Sequence, residues 1–180
     1  MFIMDAMSVD AMPDPAVSRD PTEHSRWRRV FRLLSGMDDE IARIYAENGI
    51  KGLKTSWVME IIRLHARGPM TIADLARSVG RTHSAMSQKV AAMHAAGWVK
   101  TTPGPDARSK NVTLTAKAEK IVPRLAAEWR ATEASVAEIE AEIPYPMTRV
   151  AEDIAAVLAV KSFHDRIAEK LAEDPSWTNR

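Results

Sequence analysis

The sequence has 180 residues, of which 46% are hydrophobic and 27% charged, and its 25 lysines and arginines nearly balance its 24 aspartates and glutamates. This composition is typical of one folded domain, and the net charge of +1 excludes a uniformly basic surface for nucleic acid. The lack of cysteine in the sequence excludes disulfides, thiolate nucleophiles and cysteine-based zinc sites.

The first 24 residues predict neither a targeting peptide nor a membrane anchor. Their apolar start lacks a positively charged flank, and no stretch of the sequence approaches the roughly 18 apolar residues of a membrane span. Three prolines and the absence of any periodicity indicate a flexible leader over residues 1–24. We therefore expect a cytoplasmic protein that has no membrane partner.

Two helices are predicted in the next part of the chain. Apolar side chains recur every three or four residues across residues 27–44, which predicts one helix with a single apolar face. Asn48 and Gly49 are expected to end it, because both residue types accept a left-handed backbone. The second helix is predicted to begin at a capping Thr55 or Ser56 and to end at Gly68.

Two shorter helices follow, and each begins with a capping threonine. Thr71 with Asp74 three residues later resembles a capping box, and Gly80 is expected to end this third helix. Thr82 is expected to cap the fourth helix, which ends at Gly97. The positions of the fourth helix predicted to face the core are Met86, Val90 and Met93.

The periodicity changes after Gly97 to the alternation of β-strands, over residues 98–102 and again over residues 111–114. These segments predict a β-hairpin with a long projecting loop. Pro103, Gly104 and Pro105 are expected to prevent ladder pairing in that loop, because proline cannot donate a backbone hydrogen bond.

Two further helices are predicted in the C-terminal part. One begins after Thr115 and ends before Pro144, and Pro123 within it predicts a kink or a late helix start. The other carries apolar residues at intervals of three or four from Val150 to Leu171, which predicts one continuous helix.

The order of these elements predicts a mainly α fold, a winged helix-turn-helix in which a small β-hairpin is the wing. The local charge agrees with contact to phosphates, because residues 70–115 contain 6 basic and 2 acidic side chains whereas residues 116–180 contain 9 basic and 12 acidic ones. The long flanking helices are expected to form a dimerisation region, since a domain of this size cannot obviously bury their apolar faces.

At three places the sequence also resembles the MarR family of bacterial transcriptional regulators, over roughly residues 27–172. The first place is the turn and third helix over residues 68–76, and the second is the recognition-helix pattern over residues 82–99. The third is the wing, which contains Asp106-Ala107-Arg108 and is followed by Leu114-Thr115. One departure is Ala118, where the family usually has glycine three residues after that threonine. The resemblance implies a dimeric regulator that binds DNA.

The start of the fourth helix is predicted to enter the major groove of DNA, where small and polar side chains can approach base edges. The helix N-terminus would bind a phosphate through its backbone N–H groups. Residues of this kind also occur on solvated helix faces that have no ligand. The candidate DNA contacts are Arg81, Thr82, His83, Ser84, Ser87, Gln88 and Lys89.

Arg108 in the wing is predicted to reach the adjacent minor groove, where negative potential attracts arginine. Asp106 is expected to orient that arginine or to cap the turn, because a carboxylate would be repelled by DNA. Lys110 is expected to contact a phosphate. A solvated loop tip is the alternative interpretation of Arg108.

An effector site is a weaker hypothesis. The resemblance implies a cavity between the dimerisation helices and the DNA-binding lobe for a small aromatic or phenolic effector, and the candidate residues are Trp27, Phe31, Trp57 and His65. From composition alone such residues are more often part of the core. The five histidines have no partner at metal-ligand spacing, so we expect no metal and no cofactor.

The sequence therefore predicts four regions: a leader (1–24), an N-terminal dimerisation helix (25–54), a winged helix-turn-helix lobe (55–115) and C-terminal dimerisation helices (116–180). The predicted function is that of a homodimeric, sequence-specific DNA-binding regulator, a repressor relieved by a small molecule, and not an enzyme. Two alternatives stay open, a constitutive regulator without an effector and a winged-helix module that binds protein.

Overall fold

The computed structural model describes residues 20–104 and 110–178. The chain divides into two compact units, Met1–Lys117 and Ala118–Arg180. The described part is mainly helical and contains one small three-stranded sheet, so the predicted fold class is confirmed. Within the described ranges, no helix is both long enough and apolar enough to cross a membrane.

The first unit begins with a single turn of 3-10 helix, Pro21–His24, inside the segment that the sequence predicts to be an aperiodic leader. Asp20 caps this turn, since its Oδ1 accepts hydrogen bonds from the N–H of Thr22 at 2.8 Å and from its hydroxyl at 2.7 Å. These two bonds lower the pKa of Asp20. The sequence does contain a signal for this turn, because Pro21 directly follows the capping Asp20 and proline after a capping residue favours a helix start.

Helix α1 spans Arg28–Glu47 and ends at Asn48 and Gly49 as predicted, with a φ of 71° at Gly49. A 3-10 turn, Thr55–Trp57, precedes helix α2, Val58–Arg67, and Gly68 ends α2 with a φ of 76°. The predicted cap by Thr55 or Ser56 is wrong, because Trp57 is the N-cap of α2 and makes no capping bond through its side chain.

The two threonine caps of the helix-turn-helix are confirmed. Helix α3 spans Ile72–Ser78, and the Oγ1 of Thr71 accepts a hydrogen bond from the N–H of Asp74 at 3.1 Å. Helix α4 spans His83–Ala95, and the Oγ1 of Thr82 accepts one from the N–H of Ala85 at 3.3 Å. Both bonds satisfy backbone donors that the first turn of a helix otherwise leaves free.

The sheet contains strands β1 (Met70–Thr71), β2 (Val99–Pro103) and β3 (Lys110–Leu114) in the antiparallel order β1-β3-β2. The sequence did not predict β1, because two residues are too few to show an alternation. The expectation that Pro103 prevents pairing is wrong, since Pro103 ends β2 opposite Lys110. Strand β2 lies at the edge of the sheet, where proline is tolerated.

The core of the first unit is formed by α2, α3, α4 and the sheet. The three predicted core positions of α4 are buried, and complete burial of such side chains stabilises a fold by roughly 1.5–3 kcal/mol each. Between 0% and 3% of the surface is exposed for the main members of this core, which are Ile61, Leu64, Leu75, Met86, Val90, Met93, Trp98, Val99 and Val112.

The second unit holds most of helix α5, Ala116–Glu142, together with α6 (Met147–Val160), α7 (Phe163–Ala172) and α8 (Pro175–Thr178). Helix α5 begins at Ala116 and continues through Pro123, so the predicted late start is wrong. Glu140 connects α5 to α6 by accepting hydrogen bonds from the hydroxyl and the N–H of Thr148 at 2.7 and 2.8 Å, and these bonds lower its pKa.

The predicted last helix is in fact two helices, α6 and α7, which are separated at Lys161 and Ser162. Ser162 caps α7, because its hydroxyl accepts a hydrogen bond from the N–H of Asp165 at 3.1 Å. The continuous apolar spacing concealed this break. Ser162 with Asp165 three residues later is nevertheless a capping box that can be recognised in the sequence.

Candidate DNA interface

The turn between α3 and α4 positions the start of α4. Gly80 in this turn has a φ of 64°, a left-handed conformation that glycine adopts without steric cost. The N–H of Arg81 then donates a hydrogen bond to the carbonyl of Ala76 at 2.9 Å. This bond connects the turn to α3, so the orientation of the first residues of α4 is fixed from the preceding helix.

Helix α4 separates its polar and apolar residues. Met86, Val90 and Met93 are buried against the core, while most of the candidate DNA-contacting residues at its beginning are exposed. Ser87 is half-buried at the edge between the two faces. The side chains presented to solvent at the start of this helix are Arg81, Thr82, His83, Ser84 and Gln88.

The N-terminus of α4 has the electrostatic character of an anion-binding end. Its first turn contains no acidic side chain, whereas Asp74 occupies the first turn of α3. The helix dipole places partial positive charge at this end, and the exposed guanidinium of Arg81 adds a full charge. In the described part of the chain, no salt bridge neutralises Arg81.

Lys89 differs from the other candidates, and the prediction that it flanks the DNA backbone is corrected by its contacts. Its ammonium lies 2.8 Å from the Oε1 of buried Glu60 and donates a hydrogen bond to the carbonyl of Ser56 at 2.7 Å. Only 22% of the Lys89 side chain is exposed. The ammonium is therefore directed toward α2 and away from the exposed face of α4.

The wing is the hairpin of β2 and β3. Lys100 on β2 and Lys110 at the start of β3 are both exposed, so each is free to approach a polyanion. Asp106 and Arg108 lie outside the described residues.

The base of the wing is anchored by contacts that the sequence did not indicate. The hydroxyl of Thr115 donates a hydrogen bond to the carbonyl of Gly97 at 2.8 Å. The ammonium of Lys117 lies 3.9 Å from the centre of the Trp98 ring, which is a cation–π contact. These contacts hold the end of β3 against the start of β2 and so fix the direction of the hairpin.

The four candidate effector residues occupy different environments. Trp57 is part of the core, at 6% exposure, and the ammonium of Lys54 lies 5.4 Å from its ring centre. Trp27 and Phe31 are 52% and 65% exposed at the start of α1, and His65 is exposed near the end of α2. The structure therefore does not enclose these side chains in one shared apolar site.

Within residues 20–104 and 110–178, no group of three histidine, aspartate or glutamate side chains is close enough to hold a metal ion.

Many large apolar side chains are exposed on the flanking helices. On and beside α1 they are Trp27, Phe31, Leu33, Leu34 and Ile44. On α5, α6, α7 and their connections they are Ile139, Ile143, Tyr145, Met147, Val157, Val160, Phe163 and Ile167.

Residues 51–109 match the sequence model of the MarR family. This segment contains α2, the helix-turn-helix and strand β2, so the match covers the exposed start of α4. No curated protein matches the sequence.

Several solved structures have the same fold. The Mycobacterium tuberculosis transcriptional regulator MOSR in complex with DNA is 22% identical, with a TM-score of 0.55 over 74% of this chain and 92% of its own. A Staphylococcus aureus MepR–DNA complex is 16% identical, with a TM-score of 0.56 over 76% and 98%. A mutant MarR from E. coli complexed with operator DNA is 15% identical, with a TM-score of 0.55 over 78% and 99%.

Proposed function

We propose that this chain is a MarR-family, sequence-specific, DNA-binding transcriptional regulator that acts as a homodimer. The observation that carries the proposal is the acid-free first turn of α4, whose exposed side chains are mostly polar and lie within the segment that matches the family. Structures of the same fold have been solved with DNA bound, which supports the same ligand for this chain.

In the proposed complex, α4 lies in the major groove. Gln88 is exposed and has the amide geometry that pairs bidentately with adenine, while Ser84 and Ser87 contact neighbouring base edges. Thr82, His83 and Arg81 lie at the helix N-terminus, where backbone N–H groups and positive charge bind phosphate.

The wing makes the second proposed contact. Arg108 enters the minor groove next to the site of α4, Asp106 orients it, and Lys110 binds a phosphate. The exposure of Lys110 and the anchoring of the hairpin at Trp98 support this arrangement. Lys89 is excluded from the set, because its ammonium is engaged by Glu60.

The proposed dimer forms through the exposed apolar faces of α1 and of the helices of the second unit. Burial of these side chains between two copies would remove them from water, at roughly 25 cal/mol for each Å² of apolar surface. A two-fold dimer places its two recognition helices about 34–36 Å apart, which is one turn of B-DNA. The expected operator is therefore pseudo-palindromic.

We propose repression as the mode of action, in which the bound dimer occupies DNA that RNA polymerase requires and a small aromatic or phenolic effector releases it. The exposed rings of Trp27 and Phe31 are available to such a ligand. Trp57 is a core residue in this proposal and not a ligand contact.

Enrichment of bound duplexes from a random DNA pool tests the proposed function. We expect recovery of a pseudo-palindrome whose half-sites are centred about 10 base pairs apart. Recovery of no preferred sequence, together with capture of a protein partner through the wing, would instead support the alternative of a protein-binding module.

A further inference from the structure

An ion pair inside the first unit connects α4 to α2. The ammonium of Lys89 and the Oε1 of Glu60 are 2.8 Å apart, with 22% and 3% of the two side chains exposed. Every other salt bridge found among the described residues joins side chains that are each at least 36% exposed. Among the salt bridges of the described residues, the Lys89–Glu60 pair is therefore the one that is mostly buried.

The ion pair is one of two polar contacts that the ammonium of Lys89 makes. Besides Glu60, the ammonium of Lys89 donates to the carbonyl of Ser56 in the 3-10 turn before α2, at 2.7 Å. Glu60 itself lies in the first turn of α2. The side chain of Lys89 is thereby bound both to Glu60 in α2 and to the backbone of the preceding 3-10 turn. Charge-assisted hydrogen bonds of this kind restrict the direction of a contact as well as its distance.

This contact is not the most favourable way to hold two helices together. Among the described residues no group donates to the buried Oε2 of Glu60, so this oxygen gains no hydrogen bond from them to offset its burial. Apolar pairs of similar volume in such positions often give equal or greater stability. What the ion pair adds is a defined geometry, because apolar contacts between helices are not directional.

We propose that the Lys89–Glu60 pair is a positioning device that sets the register of the recognition helix and thereby the sequence specificity of the protein. Lys89 follows Gln88 directly, so a rotation of α4 about its axis would move Gln88 and Ser84 relative to the bases. Lys89 and Glu60 are positioning residues that do not touch DNA. This inference rests on the proposed function and adds to it a determinant outside the DNA-contacting surface.

The deciding variant replaces both residues, Glu60→Met with Lys89→Met. It leaves the net charge unchanged and replaces the ion pair by apolar side chains of similar volume, so its melting temperature should lie within a few degrees of the wild type. We expect it to lose at least about tenfold in the ratio of affinities for the enriched duplex and a scrambled duplex, while affinity for the scrambled duplex changes by less than about twofold. If the pair had a purely structural role, the specificity ratio would not fall while the melting temperature and the affinity for the scrambled duplex stayed close to those of the wild type.

The matched control removes an exposed ion pair of the second unit, Lys170→Gln with Glu173→Gln, whose charged atoms lie 3.0 Å apart with side chains 77% and 68% exposed. This control also keeps the net charge, and both its melting temperature and its specificity ratio should equal those of the wild type. Loss of specificity in the control would overturn the assignment to the buried pair.

Two single variants decide the question if the double variant does not fold. Glu60→Gln keeps an oxygen that accepts from Lys89, whereas Lys89→Met removes the contact. Both variants are measured well below their melting temperatures. The ratio of affinities for the enriched and scrambled duplexes should stay within about twofold of the wild type for Glu60→Gln and should fall about tenfold for Lys89→Met. Equal ratios for the two variants would overturn the proposal.

A stable double variant with the full specificity ratio of the wild type would overturn the positioning role alone and leave the proposed function intact. A wild-type protein that retains no duplex from a random pool would overturn both.

Discussion

The indole Nε1 of Trp98 donates a 2.7 Å hydrogen bond to the backbone carbonyl of Gly52, 46 residues earlier in the chain. Trp98 is 2% exposed and stands directly before β2, whereas Gly52 lies in the segment between α1 and α2. One buried side chain thus joins the base of the wing to the segment that precedes α2, and Lys117 covers its ring.

Replacement of Trp98 by phenylalanine removes this donor and reduces the buried volume. We expect a loss of roughly 1–3 kcal/mol in the free energy of unfolding, because one hydrogen bond and part of a packed ring disappear. Denaturant titration measures this loss. Trp177→Phe is the control, since Trp177 is 63% exposed, and its effect should remain within about 0.5 kcal/mol. Equal effects of the two variants would contradict the anchoring role of Trp98.

Thr82 is assigned two functions, a helix cap and a phosphate contact, and two substitutions separate them. Thr82→Ala removes the cap and should destabilise the protein by about 1 kcal/mol, whereas Thr82→Asp retains a good cap and should preserve stability. The aspartate should nevertheless weaken DNA binding by repelling phosphate.

Ser162→Ala is the matched control for Thr82, because it removes the cap of α7 in the second unit. It should cost a similar amount of stability without loss of DNA affinity. Wild-type DNA affinity in Thr82→Asp would show that no phosphate binds at the N-terminus of α4.

Gln88 is proposed to recognise a base. Gln88→Ala should cost about 1–3 kcal/mol at duplexes that carry the preferred base and little at others. His94→Ala, a change of an exposed residue near the end of the same helix, should leave both affinities unchanged. Equal weakening of every duplex by Gln88→Ala would assign this residue to the DNA backbone and not to the bases.

Dimerisation through α1 predicts that a charge on its apolar face dissociates the protein. Leu34→Glu introduces a carboxylate at a side chain that is 51% exposed in the single chain, so folding should be retained while sedimentation shows a monomer. Gly36→Glu adds the same charge at an exposed position where an added Cβ meets no group from outside its own stretch of helix within 4 Å, and this variant should remain dimeric. A dimeric Leu34→Glu protein would place the interface elsewhere.

Features of the helix-turn-helix that depend on neighbouring residues were predictable from the sequence. Thr71 and Thr82 could be identified as caps because the backbone N–H that each accepts from lies three residues later. The burial of Met86, Val90 and Met93 follows from their helical spacing. Such signals are local, so they do not require knowledge of the tertiary structure.

The contacts of Lys89 could not be predicted in this way. Its partner Glu60 is 29 residues earlier in the chain. From the sequence, a lysine at the border of a helix face is explained equally well as a solvated surface residue. Strand β1 was missed for a related reason, since Met70 and Thr71 acquire their strand geometry by pairing with Val112 and Asn111. Both features depend on elements distant in sequence.

The salt dependence of affinity for the enriched duplex tests the central claim most directly. A protein that places Arg81 and several N–H groups on phosphates releases counterions on binding, so the logarithm of its affinity should fall linearly with the logarithm of the salt concentration, by at least about tenfold between roughly 50 and 200 mM. The slope should be less steep in Arg81→Ala by about one charge. An affinity that does not change over this range, or a protein that binds no duplex, would contradict the assignment of this surface to DNA.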